Sequence, residues 1–436
     1  MRLTIPGHLA LLLLLGLLCA STATVAEYPP AWTGFRGPTS DGHAAQAEGT
    51  TTKPPTHWSE TENVAWKTDL PHKGWSTPVV MNDQIWLTTA TEGGNDFYAL
   101  GIDAKSGVIF FNEKLFHCET PDPLGNAVNS YASPSPAIEP GRVFVHFGRY
   151  GTACIDTTTR KVLWKRDDLP CNHYRGPGSS AFLFEDLLIL TFDGSDLQYT
   201  AALDTQTGKT AWKTDRSTEW KDFDENGVII REGDMRKAFA TPLLYERDGQ
   251  PILLSLGSSA LFGYNPHTGA ELWKMPNPGY GPGVSPVMDG NLAILQVGYG
   301  PSLLRAIRLD GKGDLTDDYE AWRMEGKQIP HTPTPIIIDG LLYMVSDRGL
   351  LTSLELETGV EVWTERIGGN YLASPIYVDG KVYLCSNQGK YTVFKPGRTY
   401  QHIATNTLDD GLMASPVPYG NALILRTTTH LYRIEE

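Results

Sequence analysis

"MASPVPYGNALILRTTTHLYRIEE", Met413 to Glu436, ends the chain one strand short of a pattern it otherwise follows. It begins with the Ala-Ser-Pro of the preceding unit, "LASPIYVDGKVYLCSNQGKYTVFKPG" (Leu372–Gly397), and keeps the same apolar alternation, but has room for three strands only. The missing fourth stands at the other end of the chain, where "ENVAWKTDL" (Glu62–Leu70) carries Trp66 with no three strands before it. Joining the two ends makes a circle of sheets with no open edge.

The repeated unit is Ser/Thr-Pro, an apolar strand, often Asp-Gly, a second strand, a third ending in Leu-Asp-x-x-Thr-Gly, and a fourth closing on Trp. Its prolines are Pro78, Pro136, Pro242, Pro286, Pro335, Pro375 and Pro416; an eighth unit, near Ser180, lacks the Pro but keeps the rhythm. The closing aromatics are Phe110 or Phe111, then Trp164, Trp212, Trp273, Trp322 and Trp363, the Trp residues being spaced by 48, 61, 49 and 41 positions. Such spacing is the length of four short antiparallel strands with hairpin turns. Alternation buries one side chain in two against a neighbouring blade. Asp-Gly and Thr-Gly supply the positive φ of tight turns, and Trp is expected to fill the outer gap between splayed blades. The fold read from this is all-β: an eight-bladed β-propeller of four-stranded antiparallel blades over residues 63–436, the ring closed by an N-terminal strand that completes the last blade.

The 436 residues carry a formal net charge of −14 and no basic run, which argues against a nucleic-acid partner. Residues 1–26 read as a signal peptide: Arg2, the short apolar run "LALLLLLGLLCA", then small residues in "STATVA". Leu17 and Leu18 before Cys19 do not suit a lipoprotein site, and cleavage leaves no transmembrane segment in the mature chain. Periplasmic or secreted localisation follows. Residues 27–62 form an N-terminal arm, whose "WTGFRGP" is expected to anchor by its aromatics on the propeller's outer surface, the remainder being a flexible leader.

Loops joining the fourth strand of one blade to the first of the next all open on one face, around the central channel. Just upstream of each unit they carry His72, Lys73 and Trp75; Asn129 and Tyr131; His173, Tyr174 and Arg175; Arg236 and Lys237. Tyr280, His331, Asn370 and Tyr371, and finally Asp409 and Asp410 continue the series. An acidic chain thus gathers basic and aromatic residues on one rim. That suits a small anionic or planar ligand, a carbohydrate, or a protein segment with acidic groups, Arg175 and Arg236 being the foremost carboxylate partners. Cys118 and Cys171 each lie seven residues beyond a closing aromatic on consecutive blades, which makes a Cys118–Cys171 disulfide a candidate. "DFDENG" offers Asp222, Asp224 and Asn226 at alternate positions, the first half of a calcium loop, but Gly233 stands where its bidentate Glu belongs. Other acid pairs, Asp167–Asp168 and Asp317–Asp318, read as solvated loop residues, and no hydrolase elbow, zincin or P-loop signature is present.

The turn "ALDTQTGKTAW" (Ala202–Trp212), more loosely Leu354–Trp363, resembles the repeat of the PQQ-like, quinoprotein-type β-propeller family. That family includes quinoprotein dehydrogenases and non-enzymatic relatives such as the outer-membrane β-barrel assembly lipoprotein. "AWTGFRGPTSDG", "GDMRKAFATP", "RIGGNYLASPIY" and "TNTLDDGLMASP" resemble its secreted bacterial members. For the dehydrogenases the resemblance implies PQQ beside calcium, an Asp base and, in many, a disulfide between adjacent cysteines. This chain has no Cys-Cys pair and no haem-attachment motif, and it is shorter than those enzymes, which reads against PQQ as its cofactor. The expectation is an exported, non-catalytic scaffold that binds through its central-channel loops. The alternatives are a periplasmic quinone- and calcium-dependent alcohol or sugar dehydrogenase, and a carbohydrate-binding propeller.

Overall fold

The computed structural model describes residues 31–44, 52–218, 233–299, 302–311 and 313–436. Residues 1–26, read above as a signal peptide, and the calcium-loop candidates Asp222, Asp224 and Asn226 lie outside the described residues. Eight four-stranded antiparallel sheets form a propeller. In chain order, blade 1 runs from Val79 to His117, blade 2 from Ala137 to Arg166, blade 3 from Phe182 to Asp215 and blade 4 from Leu243 to Pro276. Blade 5 covers Val287–Glu325, blade 6 Ile336–Arg366 and blade 7 Ile376–Thr407. Blade 8 takes three strands from Val417–Ile434 and its outer strand, Val64–Asp69, from the other end of the chain. Trp66 pairs with Arg433 and Thr68 with Leu431, so the ring closes as the unfinished last repeat requires.

Apolar clusters fill the space between successive blades all round. One joins blades 7, 8 and 1 through Tyr391, Leu425, Leu431 and Leu87; the next joins blades 1 and 2 through Trp86, Phe97, Val143 and Phe147. Every closing Trp except Trp273, whose indole N–H has no acceptor among the described residues, adds a directed contact. The indole N–H of Trp164 donates to Thr205 O (3.0 Å), that of Trp212 to Pro266 O (2.9 Å), and that of Trp322 to Leu356 O (2.8 Å). In every case the acceptor is in the third turn of the following blade. Trp66 makes the same bond across the seam to Ala104 O at 3.1 Å. The turn glycine is obligatory on two counts: Gly208 holds φ +70°, and a Cβ there would lie 2.7 Å from the Trp164 ring. The Thr-Gly and Trp of the repeat are therefore partners in different blades. Trp does more than fill an outer gap. Where blade 1 closes with Phe110 instead, the following turn carries Arg160 (φ 59°) in place of glycine, its guanidinium 4.4 Å from the ring centroid.

A second circle runs around the channel. The N–H of Thr77 donates to the hydroxyl of Ser135 (2.9 Å), that of Ser135 to Ser180 (3.0 Å), and that of Ser180 to Thr241 (2.9 Å). Thr241 donates in turn to Ser285 (3.0 Å), Ser285 to Thr334 (3.2 Å) and Thr334 to Ser374 (3.0 Å). Ser374 donates to Ser415 (3.1 Å), and Ser415 back to Thr77 (3.2 Å). These are the Ser/Thr residues that precede the repeat prolines, together with Ser180. Each satisfies a backbone N–H of its neighbour that no strand reaches.

The arm corrects one expectation. Its first segment does not lie on the outer surface but crosses the lower end of the channel. Trp32 exchanges backbone hydrogen bonds with Val80 of blade 1 (2.8 and 2.9 Å), and Thr33 O accepts from Ile138 of blade 2. On the far side the Arg36 guanidinium donates to Thr334 O, Pro335 O and Pro375 O, while Gly42 and Ala44 pair with Tyr377 of blade 7. Residues 52–62 also pack rather than trail: Trp58 is 4% exposed, inserted against Tyr383 and Tyr391. The apolar bodies of Trp32 and Trp58 gain more from burial between inner strands than a surface groove could give. Among the described residues no α-helix is present, and no helix is long and apolar enough to cross a membrane.

Candidate functional site

With the arm as floor, the channel becomes a cavity of about 460 Å³ open at the face that bears the inter-blade loops. Phe35 lines its lower end, the hydroxyl circle its waist, and Trp75, Asn129, Arg175, Lys237, Tyr280 and His331 its mouth. Those six come from six different loops of the inferred rim. The mouth also takes Asp234, Phe239, Val128 and Tyr299, which the sequence reading missed. Val128 and Tyr299 are both 46% exposed, an apolar lip on a polar surface. Tyr299 sits on a hairpin inside blade 5, so a search confined to loops between blades passes over it. Its ring stacks on His331 at 5.4 Å with 19° between planes, and the imidazole is oriented by Asp347 Oδ2 at 3.1 Å from Nδ1.

A charged corner occupies one side. Arg175 holds Asp234 by two bonds, Nε to Oδ1 at 3.0 Å and Nη2 to Oδ2 at 3.2 Å, and Lys237 Nζ touches the same carboxylate. Tyr174 lies behind both cations, its ring centroid 5.0 Å from the guanidinium and 4.4 Å from the ammonium. Arg175 has φ 78°, a left-handed backbone costing a non-glycine residue about 1–2 kcal/mol. Gly176, also left-handed, completes the turn, and the Arg175 N–H is tied to Pro123 O at 2.9 Å. Strain held this way marks a side chain whose direction matters. With Lys237 protonated, two cations face one carboxylate and leave the corner with a surplus positive charge, in a chain whose net charge is −14.

Burial, and the nearby Arg175 guanidinium, push the Lys237 ammonium down to about 7. An amine depressed in the folded state binds fewer protons there than in the unfolded chain between about pH 7 and its ordinary value of 10.5. Its contribution to stability therefore rises with pH across that window and is least below 7. The difference in stability between the native protein and Lys237→Met is expected to vary with pH in that sense. Denaturant melts at pH 6, 8 and 10 check it; a difference that is flat with pH contradicts the assignment.

Other residues inferred for the rim are turned elsewhere. Tyr131 packs inward, its phenol donating to Asp122 O at 2.9 Å. His173 is 6% exposed, and burial pushes its imidazole down to about 4, so it stays neutral in ordinary conditions. Tyr371 is fully buried between blades 6 and 7, and Asn370 is exposed away from the cavity, its carbonyl accepting from Asn387. Arg236 belongs to the short 3-10 turn Asp234–Arg236 and does not line the wall. Cys118 and Cys171 are free thiols, which corrects the disulfide candidate. They start equivalent loops, but Cys118 packs against the cluster between blades 1 and 2, and Cys171 is buried in that between blades 2 and 3. A blade separates the two thiols.

Among the described residues no group of three or more His, Cys, Asp or Glu side chains could hold a metal ion. Calcium needs six to eight oxygen ligands, and Asp234, the one carboxylate on the described wall, is already held by two cations. The described residues of the wall do not fit that ion.

A family profile described as outer membrane protein assembly factor BamB matches residues 59–221 and 312–399. No curated protein matches the chain. Among solved structures it is similar to a europium-containing methanol dehydrogenase, with a TM-score of 0.66 and 10% identity over 92% of this chain and 90% of that one. BamB from Moraxella catarrhalis gives 0.55 and 12% over 85% and 99%. Quinohemoprotein alcohol dehydrogenase from Comamonas testosteroni gives 0.65 and 11% over 93% and 80%. Likeness at such identities is likeness of fold.

Proposed function

We propose that this chain, which belongs to the PQQ-like propeller family described as outer membrane protein assembly factor BamB, is an exported, non-catalytic scaffold that binds through its central cavity. One observation carries the reading. The single carboxylate on the described wall, Asp234, is clamped by Arg175 and Lys237, leaving neither a free carboxylate nor an oxygen set for a metal among the described residues. A rigid ring, a blind floor and loops tied by backbone bonds suit presentation of a fixed surface, to a protein partner or a small ligand. Periplasmic or secreted placement rests on the N-terminal sequence.

The dehydrogenase reading draws on the shared fold and predicts turnover. With PQQ and calcium added, the purified protein is expected to reduce no dye with methanol, ethanol or glucose. Dye reduction, with quinone absorbance that survives dialysis, would overturn the scaffold reading. Binding is tested with Gly283→Trp. Gly283 lines the cavity, and a Cβ there would meet only His331 O, at 3.3 Å. An indole at that position is expected to fill the cavity and abolish the thermal shift given by any ligand the wild type takes. Shifts that persist in Gly283→Trp place binding elsewhere.

A further inference from the structure

We infer that the cavity is a receptor for a small oxyanion, a phosphorylated or carboxylated molecule, and rejects neutral carbohydrate; this rests on the cavity being the binding site. The inference comes from counting donors against acceptors on the wall. Each hydroxyl of the circle accepts a neighbour's backbone N–H, and among the described residues none of the eight donates to a protein acceptor. Their protons are therefore unspent. None of the eight residues is more than 6% exposed, and all but Thr334 line the cavity. The buried Trp75 Nε1 likewise lacks an acceptor.

The carboxylate and amide acceptors on the same wall are already engaged. Asp234 is held by Arg175 and Lys237. Asn126 Oδ1 accepts the Val128 N–H at 3.1 Å, and Asn129 Oδ1 accepts from Ser130 N–H at 2.8 Å and from the Ser133 hydroxyl. A sugar hydroxyl brings one proton along with its two lone pairs, and on a wall this rich in donors those protons compete for few open acceptors, at a cost that disfavours binding. An oxyanion brings lone pairs only. Its charge is met at the Arg175–Lys237 corner, where a bound anion favours the protonated form of Lys237, and an apolar remainder has Phe35, Phe239 and Tyr299 to rest on.

Binding is read by calorimetry at constant ionic strength, with inorganic phosphate, phenyl phosphate, citrate and benzoate against cellobiose. Wild type is expected to bind at least one anion and no cellobiose. Whether the phosphates or the carboxylates bind distinguishes the two sources of the anion. Arg175→Gln is expected to weaken the anion about tenfold or more. Thr241→Val, which removes one donor of the circle, weakens it several-fold, whereas Thr241→Ser, which keeps the hydroxyl, does not. Circular dichroism and melting confirm that each variant is folded. Absence of anion binding up to tens of millimolar overturns the inference, as does binding that Thr241→Val and Arg175→Gln leave unchanged. Cellobiose binding that is lost in Gly283→Trp also overturns it, but leaves the cavity as the site; ligands indifferent to Gly283→Trp remove both.

Discussion

Thr68→Pro is expected to unfold the ring from its seam, with a fall in stability of about 3 kcal/mol or more. The outer strand of blade 8 is the one place where ring closure is not enforced by the chain running on. Leu70 N–H donates inward to Thr429 O at 2.8 Å, so by the two-residue period of a strand the N–H of Thr68, opposite Leu431, also points inward. Proline removes that donor in the middle of the pairing. The substitution also loses the bond from Thr68 Oγ1 to Gly107 O (2.7 Å), which ties blade 8 to the turn of blade 1. Loosening the strand withdraws Trp66 from Ala104 O and exposes the edge of the strand His430–Ile434, a template for pairing between molecules. Thr68→Val separates the contributions, since it keeps the N–H and loses only the hydroxyl; its cost is expected near 1 kcal/mol. Thermal melting and size-exclusion chromatography check both. A Thr68→Pro protein with the elution volume and melting temperature of wild type would mean that the seam contributes nothing.

The seam and the blade count are legible in the sequence because they rest on periodicity and on the position of one Trp, both local signals. The face on which the loops open is legible too, since chain direction fixes it, and six of the residues named from it do line the cavity mouth. The direction of each side chain is another matter. Tyr131, His173 and Tyr371 occupy loop positions like those of Trp75 and Arg175, yet their rings fill gaps between blades. Which way a loop residue turns depends on the neighbour's volume: a Cβ at Gly94 would meet the Tyr131 ring at 2.6 Å, so the ring is held inward by the glycine's missing side chain. The floor was hidden for a different reason. Arg36 finds Thr334 O at a separation of 298 residues, and nothing in "GFRGP" names blades 6 and 7 as its partners. The hydroxyl circle lies between these cases: the Ser/Thr-Pro pairs are plain in the sequence, but that each hydroxyl serves its neighbour's N–H appears only when the blades stand side by side.

Asp193→Asn is expected to destabilise the protein by about 3–5 kcal/mol, because it strands a buried guanidinium. Asp193 of blade 3 and Arg216 are each 1% exposed and share two bonds, Nε to Oδ1 at 2.5 Å and Nη2 to Oδ2 at 2.7 Å. Arg216 also donates to Ser255 Oγ of blade 4 at 3.0 Å and lies 4.9 Å from the Phe262 centroid, so the pair fastens one blade to the next. Burial raises the Asp193 carboxyl while the guanidinium opposes it, and in a buried pair desolvation offsets much of the attraction. The cost therefore comes from breaking the pair, and removing both charges is expected to restore most of it: Asp193→Leu with Arg216→Met should lie within about 1–2 kcal/mol of wild type. The pair also reaches the cavity. Gly233 packs against Ser195 O, two residues beyond Asp193, so closely that a Cβ would lie 2.2 Å away, and Ser258 Oγ holds Met235 O. Between them these contacts seat the turn Asp234–Arg236 that delivers Asp234 and Lys237 to the charged corner. Asp193→Asn should accordingly disturb the corner as well as the melt, and the double variant should recover stability more fully than it recovers ligand affinity. Melting curves for the two singles and the double decide the first point. A double variant no more stable than Asp193→Asn would mean that the pair is a net source of stability and that the balance argued here is wrong.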